Sequence, residues 1–230
     1  PDVGGNGTYD KVVKNFKKLV ASRNGENYYL RGTFTNRNMD FSKDVLSMAD
    51  EGFDILSVEP VVLKDSPYGF TEKDLPTIFA EYDKLTEIYL KRQKEGKGFF
   101  FFHFNIDLEH GPCVAKRLSG CGAGHEYFAV AADGNLYPCH QFAGRENYML
   151  GNVFDGVKNT ELPKEFRSTH VLSKEKCRDC WAKFFCSGGC HANADLFHGN
   201  IHEPYELGCE LQKKRCECAI VVQTAKKFGL

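Results

Sequence analysis

Cysteine is missing from the first 112 residues of this 230-residue chain; all ten cysteines lie in the last 118. A small secreted scaffold carries its disulfide cysteines throughout. The uneven placement speaks against that class and for a protein with one metal-bearing region. An excess of either charge is missing too. The net charge of −1 argues against an electrostatic nucleic-acid binder. No apolar run approaches the length of a membrane span and no signal peptide opens the chain, so the expectation is a cytoplasmic protein without a membrane partner. An initiator methionine is also lacking: "PDVGGNGTYD" reads as the start of a processed chain or of a piece of something longer. Internal repeats and low-complexity tracts are absent. What is present is an ordinary soluble composition, 42% hydrophobic and 27% charged, with enough length for one large or two modest domains.

The first half alternates helix and strand patterns. Thr8 can cap a helix with Val12, Val13, Phe16, Leu19 and Val20 at helical spacing. The aromatic, β-branched run Tyr28 to Thr35 reads as a strand. A helix follows from Phe41, with Val45, Leu46 and Ala49 inward and Gly52 at its stop. Ile55 to Leu63 is a nearly continuous apolar strand, as when both faces are buried. Thr71 and Asp74 approximate a capping box before a long helix carrying Leu75, Ile78, Phe79, Tyr82 and Leu85. Gly98 to Leu108 is a third buried strand. Alternation with short connections implies right-handed crossovers and a parallel sheet. The fold class is α/β over residues 1–110.

Residues 111–230 differ in character. Tyr127 to Pro138 is a hairpin signal, two strands about an Asp133-Gly134-Asn135 turn. Cys177 to Cys190 is loop-like, and a C-terminal helix is expected from about Glu210 to Lys227. This domain is organised by a hairpin and by metal, which substitutes for a sparse core.

Eight cysteines stand out: Cys113, Cys121, Cys139, Cys177, Cys180, Cys186, Cys190 and Cys209. Zinc modules usually present two compact ligand pairs. Here a dense block of four is flanked by singles at long range. Eight thiolates match two four-thiolate sites, which leans toward two iron–sulfur clusters, while two zincs remain open on spacing alone. Cys216 and Cys218, two apart on a helix, point to different faces and read as free thiols.

The run Cys121, twelve residues, Gly134, four residues, Cys139, then Cys177-x2-Cys180-x5-Cys186-x3-Cys190 and Cys209 resembles the seven-cysteine signature of the SPASM domain. That domain is the C-terminal extension of many radical S-adenosylmethionine (SAM) peptide maturases. "GPCVAKRLSGCGAGHEYFAV" and "GNLYPCHQFAGRENYMLGNV" are similar to the subgroup that builds thioether cross-links in "six cysteines in forty-five" (SCIFF) peptides. Tyr29 to Leu63 resembles the later strands of the radical SAM partial (β/α) barrel. The SAM-cleaving C-x-x-x-C-x-x-C loop of that family is absent. The resemblance therefore implies the C-terminal half of an oxidoreductase, inactive by itself and partnered by a missing N-terminal radical SAM half.

The resemblance also implies ligand sets. Cys177, Cys180, Cys186 and Cys209 would bind an outer auxiliary [4Fe-4S] cluster. Cys121, Cys139 and Cys190 would bind an inner one, which Cys113 either closes as a fourth ligand or leaves open to a substrate thiolate. Arg31 and Thr33 fall on the strand that faces SAM in the family, and Glu59 is a second candidate near that cofactor. The substrate implied is a cysteine-rich ribosomal precursor peptide. His103 reads as a hydrogen-bonded core histidine, and no catalytic residue is assigned. The competing readings are a zinc-binding structural module and an iron–sulfur electron-transfer or peptide-binding protein without radical chemistry.

Overall fold

A computed structural model describes residues 3–111 and 113–230. Helix α1 (Tyr9–Ser22), strand β1 (Leu30–Phe34), helix α2 (Phe41–Asp50), strand β2 (Ile55–Pro60), helix α3 (Leu75–Lys94) and strand β3 (Phe100–Phe101) succeed one another in the first half. β2 pairs in parallel with β1 and with β3. That is the sheet the alternation implied, because a parallel neighbour requires a crossover and the helices supply it. Thr33 stands opposite Glu59, and Arg31 opposite Ser57.

Several expected boundaries move. β1 and β2 are shorter than their apolar runs, although the Val61 N–H still donates to the Phe34 carbonyl at 2.9 Å. The third strand pairs only at Phe100–Phe101 and then enters a 3-10 turn, Phe102–Phe104. His103 and Phe104 are both buried, and the turn brings the His103 ring to Glu59 and to the Tyr82 hydroxyl. The capping box forms as expected, Thr71 N–H donating to Asp74 Oδ2 at 2.8 Å. Thr8 does occupy the first cap position, but its hydroxyl makes no capping bond. Val12, Phe16 and Leu19 of α1 are exposed, while Val13 and Val20 pack on the core.

The second half contains helix α4 (Val114–Arg117) and strands β4 (Ala129–Val130), β5 (Asn135–Tyr137), β6 (Gly151–Asn152) and β7 (Gly156–Val157). The expected hairpin is β4–β5, and it extends into an antiparallel sheet in the order β4-β5-β6-β7. Gly134 turns it with φ of +83°, a left-handed value that suits glycine, and Asn135 N–H bonds to Asp133 Oδ1 at 3.0 Å. β6 and β7 escaped the sequence reading because two-residue strands leave no alternation to detect.

Helices α5 (Glu161–Ser168), α6 (Glu175–Arg178), α7 (Lys183–Cys186), α8 (His191–His198) and α9 (Glu206–Phe228) complete the chain. The segment expected as loop around Cys177 to Cys190 thus holds two single-turn helices. α9 begins about four residues before the expected start, which sets Cys209 in its first turn. Leu136, Phe142, Tyr148, Leu150 and Phe166 form a core of this half's own. Leu207, Leu211, Cys218 and Val222 of α9 instead join the core of Phe34, Phe41, Leu56, Tyr82 and Phe101. Among the described residues no helix is long and apolar enough to cross a membrane.

Candidate cluster sites and the adjoining cavity

The thiols fall into two neighbourhoods. Cys177 and Cys180, on and just beyond α6, face Cys186 at the end of α7 and Cys209 in the first turn of α9. These four line a cavity of about 440 Å³. Burial pushes the Cys209 thiol up to about 12, and the charges that Cys186, Cys177 and Cys180 would carry add to it. Burial likewise raises Cys177 and Cys186. Cys177, Cys186 and Cys209, crowded and at least partly buried, resist ionising together unless a cation compensates them.

Around Cys186 the backbone already does part of this. Ser187, Gly188 and Gly189 all have positive φ, 60°, 86° and 72°, and the N–H groups of Gly188 and Gly189 favour the charged form of the Cys186 sulfur, opposing its burial. Successive N–H groups aimed at one atom make an anion-binding nest. The two glycines after Cys186 are therefore conformational necessities.

The second neighbourhood gathers Cys121, Cys139 and Cys190. Tyr127 is pushed up to about 12, by burial first and then by the charges of those three sulfurs. Burial also raises Cys139, with the nearby N–H groups of Gln141 and Phe142 acting in the opposite direction. Cys190 directly precedes α8, and Cys139 follows β5. Cys113 sits before α4 on the wall of a different cavity, about 610 Å³, shared with His103, Arg215 and Cys216. Among the described residues no three ligating side chains converge on one ion-sized point.

The donor set fits iron–sulfur clusters. It consists of soft thiols, with backbone N–H groups that favour a charged Cys186 sulfur, and the outer group lines one common cavity. Cys216 and Cys218 are buried and diverge, as their spacing implied. Gln212 Nε2 reaches the Cys216 sulfur at 3.7 Å, whereas Cys218 faces Asp83 of α3.

Arg31, Thr33 and Glu59 line a further cavity of about 610 Å³ together with Cys190, Cys209 and Arg215. Glu59 is the centre of a connected network. It accepts from Ser57 Oγ at 2.7 Å and from Arg215 Nη2 at 2.7 Å, and its Oε1 lies 2.8 Å from His103 Nε2. His103 Nδ1 is 3.0 Å from the Tyr82 hydroxyl, which accepts from Arg215 Nε at 3.0 Å.

One proton arrangement satisfies every member. His103 is neutral, donates from Nε2 to Glu59 and accepts at Nδ1 from Tyr82. Burial would raise the Glu59 carboxyl, but the His103 bond and the Arg215 charge outweigh it and hold the group well below the usual carboxylate range. His103 is pulled down to about 4, by burial first and by Arg215 second. Glu59 is thus a fixed anion at neutral pH.

Glu59 stands out in the sequence, beside Pro60 at the end of an apolar run, whereas Arg215 does not. The available signal was an arginine on the α9 stripe of Leu211, Cys218 and Val222. A buried lysine, Lys174, is equally inconspicuous. Its ammonium is 3.0 Å from the Gly188 carbonyl, and nothing in "VLSKEKC" marks this lysine as different from Lys176.

Residues 121–181 match the SPASM family, described as an iron–sulfur cluster-binding domain. An "Uncharacterized protein" of Archaeoglobus fulgidus is 35% identical over 101 residues, 42% of this chain and 24% of the relative. A "Cysteine-type anaerobic sulfatase-maturating enzyme" of Clostridium novyi is 23% identical over 212 residues, 84% of this chain and 54% of the relative. The chain spans about a quarter and about half of these curated relatives. Among solved structures, histidine-tagged anSMEcpe with bound AdoMet superposes with a TM-score of 0.71 at 20% identity, over 98% of this chain and 61% of that one. Native anSMEcpe with bound AdoMet and Kp18Cys peptide gives 0.68 at 20% identity, over 98% and 64%. At that identity the likeness shows the fold. It is the mixed α/β fold of radical SAM/SPASM enzymes, C-terminal helix included, as the sequence led to expect.

Proposed function

We propose that this chain is the auxiliary-cluster part of a radical SAM maturase that installs thioether cross-links in a cysteine-rich ribosomal peptide. The observation that carries the reading is the shared cavity: Cys190 and Cys209 open onto the same space as Arg31, Thr33 and Glu59. Cys177, Cys180, Cys186 and Cys209 would hold one [4Fe-4S] cluster. Cys121, Cys139 and Cys190 would hold the other, with Cys113 as its exchangeable fourth ligand. When bound, SAM supplies a hydrogen-abstracting radical, and the clusters supply a nearby electron acceptor.

The chain's own residues would position the reactants. Arg31 offers a two-pronged guanidinium to the SAM carboxylate. Glu59 cannot take up a proton at neutral pH, so it would act as a hydrogen-bond acceptor for a hydroxyl of the cofactor and not as a base. Arg215, tied to both Glu59 and Tyr82, keeps that acceptor fixed. In the peptide, one C–H and one S–H bond would give way to one C–S bond, a net loss of two hydrogen atoms.

The thioether assignment is supported by the resemblance of residues 111–130 and 134–153 to the SCIFF maturases. A second reading, modification of a single peptide cysteine without a cross-link, is favoured by the likeness to the Clostridium novyi enzyme named as a cysteine-type anaerobic sulfatase-maturating enzyme. The test is anaerobic turnover of the full reading frame with SAM, reductant and a cysteine-rich peptide, read by mass spectrometry after thiol alkylation. Loss of two hydrogens with one thiol no longer alkylated supports the thioether reading. A mass change confined to one cysteine residue, with no cross-link on fragmentation, supports the second. An unmodified peptide beside cleaved SAM would count against both for that peptide class.

A further inference from the structure

Lys174 is the buried cation the cysteine assignments leave unexplained. It is 2% exposed, and burying an ammonium without a counter-charge is costly. Its backbone and side chain both take part in the cysteine scaffold. The Lys174 carbonyl caps α6 by accepting from the N–H groups of Cys177 and Arg178, each at 3.0 Å. Its ammonium crosses to donate to the carbonyl of Gly188 at 3.0 Å. Gly188 lies midway along the loop from Cys186 to Cys190, where the outer thiol group passes to the inner one. The ammonium's hydrogen-bond partner is that carbonyl, and charges on Cys177, Cys186, Cys190 and Cys209, three of the outer group and one of the inner, would act on it favourably.

A carbonyl alone does not repay the desolvation of an ammonium. A cluster held by thiolates does, because it is a net anion whose negative charge grows by one on reduction. We propose that Lys174 is a positioning residue and the fixed counter-cation shared by the two cluster sites, easing reduction at both and more strongly at the outer one. The proposal rests on the reading of these cysteines as cluster ligands. Net charge and hydrogen bonding around a cluster are what set its potential, and Lys174 supplies the charge from inside the protein, where screening by salt is weakest.

The experiment uses anaerobically reconstituted wild type, Lys174→Arg, Lys174→Gln and Lys174→Met. Iron and sulfide per chain and circular dichroism come first. Dithionite titration followed by EPR then gives each cluster's midpoint potential. Arg keeps the charge, Gln keeps a neutral donor for Gly188, and Met keeps neither. Gln and Met should make reduction of the outer cluster at least tenfold less favourable, about 59 mV more negative for one electron, with a smaller shift of the same sign at the inner cluster. Arg should stay close to wild type.

Folded Gln and Met proteins that lose iron while Arg retains it would support the same conclusion through affinity. Potentials unchanged in Gln and Met would overturn the proposal. So would Gln behaving as wild type while Arg does not, since the hydrogen bond and not the charge would then be at work. Equal loss of iron in all three folded variants would likewise overturn it. Failure of the wild type itself to hold iron and sulfide would instead refute the cluster assignment, and the two failures are distinct.

Discussion

Removing Arg215 is the sharpest perturbation of the network that joins α9 to the sheet. Arg215→Met preserves most of the aliphatic volume and deletes two charge-assisted bonds, to Glu59 at 2.7 Å and to Tyr82 at 3.0 Å. Breaking a buried ion pair from one side costs about 3–5 kcal/mol. Glu59 keeps its bonds from His103 and Ser57, and its side chain is 18% exposed, so the lower end of that range, about 3 kcal/mol, is expected. For a chain of this size each kcal/mol moves the melting temperature by roughly 2–4 °C, giving a fall of about 6–12 °C.

The assay is anaerobic thermal unfolding of wild type, Arg215→Met, Glu59→Gln and the double variant at equal cluster loading. Glu59→Gln neutralises the charge that Arg215→Met leaves stranded, so the double variant should lose clearly less than the sum of the singles. His103 should also titrate higher in Arg215→Met, because the guanidinium is one of the charges holding it down. Strict additivity, with His103 unmoved, would refute the network.

Acidification should destabilise the fold through His103. Its folded pKa of about 4 lies below the ordinary 6.5, so the unfolded chain binds the extra proton between those values. Stability is then lost as pH falls through that window, by about 3 kcal/mol; His103→Gln should flatten this part of the profile, and an unchanged profile would contradict it. The groups facing the ring are Glu59 of β2, Tyr82 of α3 and Arg215 of α9. Gly151→Ala should cost about 1–3 kcal/mol in urea unfolding, because a Cβ there would collide with the Gly156 carbonyl across the β6–β7 turn. Cys186→Ser and Cys190→Ser should each remove roughly half of the iron and leave different EPR signals behind; identical residual spectra would deny that the two cysteines serve different sites.

How much of this was legible in the sequence follows from the range of each interaction. The β1–α2–β2–α3 succession is written in local apolar periodicity, and Thr71 with Asp74 marks a helix start within four residues. The spacing of Cys177, Cys180, Cys186 and Cys190 is equally local and pointed to soft-metal chemistry. The Phe102–Phe104 turn was not legible, because four phenylalanines in a row, Phe99 to Phe102, suit a buried strand equally well. What turns the chain is the distant pairing of His103 with Tyr82 and Glu59. Arg215 and Lys174 are ordinary basic residues until the fold buries them, one on the apolar stripe of α9 and the other behind the Cys186–Cys190 loop.

The most direct measurement of the central claim is iron, acid-labile sulfide and zinc per chain after anaerobic purification and after anaerobic reconstitution, with the visible spectrum. The expected result is about eight irons and eight sulfides, two cubanes, with broad visible absorption that bleaches on reduction. One or two zincs that persist through reconstitution, with no sulfide incorporated, would contradict the cluster sites and leave the cysteines as a zinc scaffold.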